Sequence, residues 1–290
     1  MAVNDITIPT HDAAWFDTQY DNRRRVPEFA QHIARWREHS ASARQRLPCH
    51  LDLPYAPGAS VTLDVFPAAR ANAPVLVFIH GGYWRSLDKA DFSFVAEPFV
   101  AAGAMVVVPN YSLCPAIEVD TIAMQMAQAL AWVHRHAAHH GGDTARCVVA
   151  GHSAGGHLAA MLLACDGRRV AQGLPRQLVR SAVSISGLYD LAPIAAAPSL
   201  QVDLHLTPDV VARASPAGFA APSGARLISV VGALESEEFL RQNRLIHQRW
   251  GPAVVPVCEE LPGRDHFSVL DDLVAPRARL HRLVLQWLAA

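Results

Sequence analysis

Two features of this 290-residue sequence predict an α/β fold with a mostly parallel central sheet flanked by helices. Short apolar runs alternate along the chain with longer segments of helical periodicity. Many of these runs are apolar at successive positions, which is typical of strands that are covered on both faces. Strands separated by helices of this length form right-handed βαβ units. We therefore predict a single domain over residues 1–290.

The predicted strands are apolar runs rich in β-branched residues. In chain order they cover residues 61–66, 75–79, 105–108, 146–150, 181–185, 227–231 and 254–257. The predicted helices carry apolar residues at helical spacing, and two of them stop at glycine, which readily adopts the left-handed conformation that ends a helix. They cover residues 28–46, 88–102, 119–140, 155–165, 237–250 and 276–288.

Two segments depart from this alternation. Residues 1–50 are predicted to form an N-terminal helical cap segment, which is polar and rich in arginine. Residues 191–223 contain five prolines and are predicted to form a lid or loop insertion. Residues 1–16 lack the apolar run of a secretory signal, and no segment approaches the length of a membrane span.

Charge and cysteine content narrow the classes of protein that fit. The chain has 25 Lys and Arg against 26 Asp and Glu, and 51% of its residues are hydrophobic. This balance argues against nucleic-acid binding, which needs a basic face, and against a mostly disordered chain. The five scattered cysteines form no CxxC pair. We expect a reduced, cytoplasmic protein with a small-molecule substrate and neither nucleic acid nor membrane as partner; a homodimer is left open.

The most informative motif is GHSAG at residues 151–155. It follows a predicted strand and precedes an Ala- and Leu-rich helix, which is the context of a nucleophile elbow. The flanking glycines remove Cβ atoms that would clash in so sharp a turn, and the N–H groups of the following helix face a developing oxyanion. Ser153 is therefore the predicted nucleophile.

A second motif, HGGYW at residues 80–84, follows the predicted strand 75–79. In an elbow architecture, one oxyanion donor is the N–H of the residue after the nucleophile, and the other lies in a glycine-rich loop upstream. The predicted oxyanion hole is therefore formed by Gly81, Gly82, Tyr83 and Ala154. His80 is interpreted as a structural hydrogen-bonding residue of this loop.

The base and the acid are predicted from their positions after successive strands, because fifteen histidines make abundance uninformative. His266 lies in a loop beyond the last predicted strand and is the expected general base. Glu235 follows the predicted strand 227–231 and is the expected acid that orients the imidazole. Asp190, which follows the preceding strand, remains the alternative acid.

These motifs resemble the arylformamidase (kynurenine formamidase) branch of the α/β-hydrolases, of the HGGxW esterase and lipase type. The matching segments span nearly the whole chain: YDNR at 20–23, HGGYW at 80–84, GHSAGGHLAAM at 151–161, SGLYDL at 186–191, ESEEF at 235–239 and DHF at 265–267. The resemblance implies hydrolysis of N-formyl-L-kynurenine to kynurenine and formate through a formyl-serine intermediate, with no metal and no cofactor. One position departs from the family, where Glu235 replaces an aspartate.

A formyl group is small, so the leaving group must supply most of the recognition. Trp84, Tyr189 and the proline-rich insertion are the predicted lining of an aromatic pocket. Arg85 is a candidate for binding a carboxylate, although an ordinary surface arginine is the simpler interpretation.

Three other functions compete with this interpretation. A carboxylesterase for short acyl or aryl esters would use the same triad. A metal-binding protein would use His134, His136, His139 and His140, two of which are four residues apart. A catalytically inactive α/β-hydrolase scaffold would bind a ligand without turnover.

Overall fold

A computed structural model describes residues 11–290 of the chain. The first ten residues, which belong to the predicted cap segment and to the signal-peptide argument, lie outside this range. The strands are His50–Pro54 (β1), Thr62–Phe66 (β2), Ala73–Ile79 (β3), Met105–Pro109 (β4), Gly142–His152 (β5), Ser181–Ile185 (β6), Arg226–Gly232 (β7) and Val257–Leu261 (β8).

The helices surround these strands and are interspersed with short 3-10 turns. The α-helices are Ala13–Tyr20 (α1), Asn22–Arg25 (α2), Phe29–Arg46 (α3), Ala96–Ala101 (α4), Val119–His136 (α5), Ala154–Ala164 (α6), Ala192–Ala195 (α7), Pro198–Leu204 (α8), Pro208–Ala214 (α9), Glu237–Val254 (α10), Val269–Val274 (α11) and Arg279–Leu288 (α12). The 3-10 turns are Lys89–Asp91, Ser93–Val95, Ala137–His140, Gly167–Arg169 and Pro216–Gly218. Within residues 11–290, no helix is both long and apolar enough to cross a membrane.

The eight strands form one sheet in the order β1-β2-β4-β3-β5-β6-β7-β8. The six strands β3 to β8 are parallel to one another. β2 is antiparallel to β4, and β1 is antiparallel to β2. Every residue of β4 and of β6 is buried, which accounts for their unbroken apolar runs. The predicted α/β fold is confirmed.

The last predicted strand is wrong in its position. Residues 252–254 extend α10 beyond a kink at Gly251, where φ is 73°, and the strand begins only at Val257. β1 was not predicted, because four of its five residues are exposed and it has no clear hydrophobic pattern. The helix predicted over 88–102 consists of two 3-10 turns followed by α4.

The two appended segments pack against the domain. The indole of Trp36 in α3 is buried against the rings of Phe92 and Phe94, with centroids 5.3 and 6.0 Å away. The insertion over 191–223 contains the short helices α7, α8 and α9, each with proline in its first turn, where a missing N–H costs little. Residues of both segments, among them Trp36 and Leu200, line one cavity together with Ser153 at the end of β5.

Candidate active site

Ser153 lies at the sharp turn between β5 and α6. Its φ of 57° and ψ of −120° are unfavourable for a residue with a Cβ atom, and such strain is concentrated at functional sites. A Cβ atom at Gly151 would lie 2.1 Å from the Gly155 carbonyl oxygen, and one at Gly155 would lie 2.0 Å from that of Ile79. The two glycines thus permit the turn that presents Ser153.

His266 connects Ser153 to Glu235. Its Nε2 lies 3.1 Å from Ser153 Oγ, and its Nδ1 lies 2.6 Å from Glu235 Oε2. Because a carboxylate only accepts hydrogen bonds, Nδ1 carries the proton and Nε2 presents its lone pair to the serine hydroxyl. All three side chains are buried. The structure therefore brings together the three residues predicted as nucleophile, base and acid.

The second oxygen of Glu235 is held by two further donors. Its Oε1 accepts from the Ser186 hydroxyl at 2.5 Å and from the Gly232 N–H at 2.8 Å. Asp190, the alternative acid, instead accepts from the Ala192 N–H. Burial raises the pKa of Asp190. The geometry selects Glu235 as the partner of His266.

Two contributors to this arrangement were missed from the sequence. His152 Nε2 lies 2.8 Å from the His266 carbonyl oxygen, and burial, followed by the neighbouring His266, lowers the pKa of His152 well below its usual value. A neutral His152 therefore donates from Nε2 and fixes the loop that carries His266. Ser186 directly follows β6, so its position at a strand end could have identified it.

The predicted oxyanion hole lies beside the serine. Within residues 11–290, the N–H groups of Gly82, Tyr83 and Ala154 have no acceptor in the protein. A Cβ atom at Gly81 would lie 3.0 Å from Ser153 Cβ, which shows how closely this loop approaches Ser153. Free N–H groups at this location can stabilise a developing negative charge.

The loop is supported by buried polar contacts around His80. The His80 ring stacks on Tyr111 with centroids 4.3 Å apart, and its Nε2 lies 3.0 Å from Asn110 Oδ1. The Tyr111 hydroxyl donates to the His80 carbonyl oxygen at 3.0 Å. His80 therefore has the surroundings of the structural residue that its position predicted.

Gly82→Ala is expected to lower kcat by about 10²- to 10³-fold, the usual effect of losing one oxyanion donor. Gly82 has a φ of 115°, and a Cβ atom there would lie 2.1 Å from the Ser86 carbonyl oxygen, so the loop must shift. Gly103→Ala is the matched control, since Gly103 also has positive φ but a Cβ atom there meets nothing within 4 Å. Steady-state kinetics and thermal unfolding of both variants test this, and equal kcat values would contradict it.

A cavity of about 520 Å³ borders Ser153 and His266. Much of its wall comes from the N-terminal segment. Further residues come from α8 and from the loop at residues 80–87 that carries the predicted oxyanion donors, called the oxyanion loop below. The lining residues are Tyr20, Asp21, Asn22, Arg23, Phe29, Ala30, Ile33, Ala34, Trp36, Arg37, Gly82, Tyr83, Arg85, Ser86, Leu87, His152, Ser153, Ser199, Leu200, His266 and Phe267.

The prediction that Trp84 and Tyr189 line the pocket is wrong, because neither residue borders this cavity. Trp84 is fully buried and packs edge-on against His157, with ring centroids 4.9 Å apart. The Tyr189 hydroxyl lies 2.7 Å from both Ser184 Oγ and Ser229 Oγ. Both aromatic side chains are part of the core.

Tyr83 joins the N-terminal segment to the oxyanion loop. Its hydroxyl donates to the Tyr20 carbonyl oxygen at 2.9 Å and accepts from Asn22 Nδ2 at 3.2 Å. The side chain of Asn22 is buried in this contact. Tyr20 and Asn22 belong to the YDNR segment, so this part of the resemblance coincides with a wall of the site.

Comparison with known proteins places these features in a family. The BD-FAE family model matches residues 63–202. The kynurenine formamidase of Danio rerio is 30% identical over 88% of this chain and 87% of its own length. The carboxylesterase NlhH of Mycobacterium tuberculosis is 41% identical over 33% of this chain and 30% of its own length.

The chain belongs to the kynurenine formamidase family. It is an α/β-hydrolase and an enzyme of the hydrolase class. A crystal structure described as a putative thioesterase from Silicibacter sp. TM1040 is also similar, with a TM-score of 0.83 and 28% identity. The similarity covers 93% of this chain and 98% of that one. The family resemblance read from the motifs is confirmed.

The histidines considered for metal binding make other contacts in this family member. His134 Nε2 lies 2.7 Å from the Leu178 carbonyl oxygen, and His136 Nδ1 lies 2.8 Å from that of Trp132. In the described part of the chain, no group of three or more His, Cys, Asp or Glu residues is arranged to hold a metal ion.

His157, one helical turn after Ser153, is expected to make the fold sensitive to acid. Its Nε2–H donates to the Ala214 carbonyl oxygen at 2.7 Å, and burial lowers its pKa to about 4. Below about pH 6.5 the unfolded chain binds a proton that the folded protein excludes, so stability falls as pH falls towards 4.

Between pH 7 and pH 5, wild type should therefore lose roughly 2 kcal/mol more unfolding free energy than His157→Gln. Glutamine has no group that titrates in this range and can still donate to a carbonyl. Urea unfolding at the two pH values measures the difference. Equal losses in the two proteins would show that His157 is not the source.

Proposed function

We propose that this enzyme hydrolyses N-formyl arylamides, with N-formyl-L-kynurenine as substrate and kynurenine and formate as products. The observation that carries the proposal is the hydrogen-bonded series Ser153–His266–Glu235, which opens onto a cavity with aromatic walls. The Danio rerio relative, named kynurenine formamidase, supports the substrate class.

In the first half of the reaction, Ser153 Oγ attacks the formyl carbon while its proton moves to His266 Nε2. The carbonyl oxygen becomes an oxyanion and accepts hydrogen bonds from the N–H groups of Gly82 and Ala154, together with Gly81 or Tyr83. Glu235 stabilises the imidazolium. Collapse of the tetrahedral intermediate breaks the C–N bond, and His266 gives its proton to the departing arylamine.

In the second half, water attacks the formyl-serine ester as His266 Nε2 accepts a proton from it. The second tetrahedral intermediate expels Ser153 Oγ, which regains its proton from His266. Formic acid leaves and ionises to formate in water, and the enzyme returns to its starting state.

Because the formyl group is small, the leaving group must occupy most of the cavity. The rings of Phe29 and Trp36 lie 6.1 and 6.0 Å from that of Phe267, and Tyr83 also lines the cavity. Aromatic side chains favour an aromatic ligand through offset and edge-on packing. The walls of the cavity therefore suit the ring of an arylamine.

An esterase is the second candidate function. Ester and formamide hydrolysis use the same nucleophile, base and oxyanion donors, and the matched relatives include a carboxylesterase. The two functions differ in the group that leaves and hence in the demands on the cavity.

The deciding experiment compares kcat/KM for N-formyl-L-kynurenine and p-nitrophenyl acetate in wild-type enzyme. A strong preference for the formamide supports the arylformamidase proposal. Ester turnover with negligible deformylation would overturn it and favour the carboxylesterase.

A further inference from the structure

Three arginines line the active-site cavity, and they differ in their partners. Arg37 Nε lies 2.9 Å from Asp91 Oδ1, and the Arg85 guanidinium lies 2.6 Å from Asp203 Oδ2. The Arg23 guanidinium lies over the Phe29 ring, 5.6 Å from its centroid, and no carboxylate in residues 11–290 pairs with it. Arg23 is therefore the cavity arginine whose hydrogen-bond donors are available to a ligand.

The backbone next to Arg23 is held close to the oxyanion loop, while the Arg23 side chain itself is exposed. Its neighbour Asn22 is buried and donates to the Tyr83 hydroxyl at 3.2 Å. Asp21 caps the short helix α2 by accepting from the Arg24 N–H at 3.0 Å. No guanidinium N–H of Arg23 donates to another side chain or to a carbonyl within residues 11–290, so these donors can bind an anion while the guanidinium lies over Phe29.

We propose that Arg23 binds a carboxylate on the leaving group and so selects aryl formamides that carry a carboxylate. A guanidinium binds a carboxylate through two parallel hydrogen bonds, which gives orientation as well as affinity. Asp21 lines the same cavity and complements an ammonium group, so the two side chains together suit an α-amino acid. This inference rests on the proposed function. It identifies Arg23 and Asp21 as the residues that recognise the amino-acid end of the substrate, away from the formyl group.

Arg85, considered from the sequence for this role, is occupied elsewhere. Besides Asp203, its guanidinium donates to the Ser199 carbonyl oxygen at 2.8 Å. These bonds connect the oxyanion loop to α8, so Arg85 has a structural task that Arg23 lacks.

The test uses two substrates with the same formanilide group. N-formyl-L-kynurenine has a carboxylate, and 2-formamidoacetophenone lacks it. The measured quantity is kcat/KM for N-formyl-L-kynurenine divided by kcat/KM for 2-formamidoacetophenone. We expect Arg23→Gln to lower this ratio by about tenfold, mostly by raising KM for N-formyl-L-kynurenine. Arg23→Lys should retain part of the ratio, because it keeps the charge and loses the planar pair of donors.

Arg24→Gln is the matched control, since Arg24 belongs to the same helix and does not line the cavity. It should leave the ratio at the wild-type value. A second readout is inhibition of p-nitrophenyl acetate hydrolysis by L-kynurenine, whose inhibition constant should rise about tenfold in Arg23→Gln.

The outcomes separate this inference from the proposed function. If wild type hydrolyses neither formamide while it cleaves the ester, the proposed function is wrong. If wild type deformylates both compounds and Arg23→Gln leaves their ratio and the inhibition constant unchanged, the role of Arg23 is wrong and the proposed function stands. An equal change of the ratio in Arg24→Gln would also overturn the inference, because the effect would then come from the loss of one positive charge on α2 and not from contact with Arg23.

Discussion

Ser153→Ala is expected to lower kcat by roughly 10⁴- to 10⁶-fold for both formamide and ester substrates. The proposed reaction passes through a covalent bond to Ser153 Oγ, which lies 3.1 Å from the base that takes its proton. Without that oxygen, only oxyanion stabilisation and substrate positioning remain. Steady-state kinetics with each substrate, together with labelling by a fluorophosphonate probe, measures the loss.

Ser199→Ala is the matched control for this substitution. Ser199 also lines the cavity, but its contacts are made by its backbone, to Asp17 and Arg85. The control should be labelled and should retain wild-type kcat. Retention of more than about one per cent of kcat by Ser153→Ala would exclude Ser153 as the nucleophile, and absence of labelling in wild type would favour an inactive scaffold.

The strained backbone at Ser153 predicts a separate effect on stability. Glycine adopts positive φ without a steric penalty, whereas alanine retains the Cβ atom that causes the strain. Ser153→Gly should therefore unfold at a higher temperature than Ser153→Ala, although both should be inactive. Circular dichroism melting curves of the two variants compare them directly.

The parallel strands were predictable because their sequences are hydrophobic along their whole length. β6 was predicted with its observed bounds, Ser181–Ile185, since each of its residues is buried. The edge strand His50–Pro54 was missed because most of its side chains face solvent. The strand predicted over 254–257 failed for a different reason: apolar residues at the end of α10 cannot be distinguished locally from the start of a strand.

The chemical centre was predictable and its pocket was not. Ser153, Glu235 and His266 each follow a strand of one sheet, so topology alone brings them to the same edge. The wall of the cavity depends on how residues 20–37 fold back over that edge, through contacts such as Asn22 with Tyr83. Local sequence carries no signal for such distant contacts, and for that reason it predicts a pocket position for Trp84, which is a core residue.

Glu235→Gln is expected to lower kcat by about 10⁴-fold through the tautomer of His266. The pocket around Oε1 fixes the orientation of the new amide, because the Gly232 N–H can only donate and lies 2.8 Å away. The glutamine oxygen must therefore face Gly232, and its NH₂ group must face His266 Nδ1. Nδ1 then accepts a hydrogen bond, the proton moves to Nε2, and the base can no longer take the proton of Ser153.

Glu237→Gln is the matched control for Glu235→Gln, because it makes the same chemical change two residues further along the chain. Glu237 is exposed at the start of α10, where it contributes only to the helix terminus, so this variant should keep wild-type kcat. Thermal unfolding of both proteins separates a loss of activity from a loss of folding. A kcat within tenfold of wild type in Glu235→Gln would show that Glu235 is not the orienting acid.

Glu235→Asp tests whether the additional methylene group at this position is required. In the structure one carboxylate spans three donors, from His266 Nδ1 on one side to Ser186 and Gly232 on the other. A shorter side chain on the same backbone cannot reach both sides without movement of the loop. We therefore expect Glu235→Asp to lose activity, but less than Glu235→Gln, because an aspartate that reaches Nδ1 still selects the productive tautomer. Restoring the contact would require a shift of residues 232–235, so the loss of kcat in Glu235→Asp measures the cost of moving this turn.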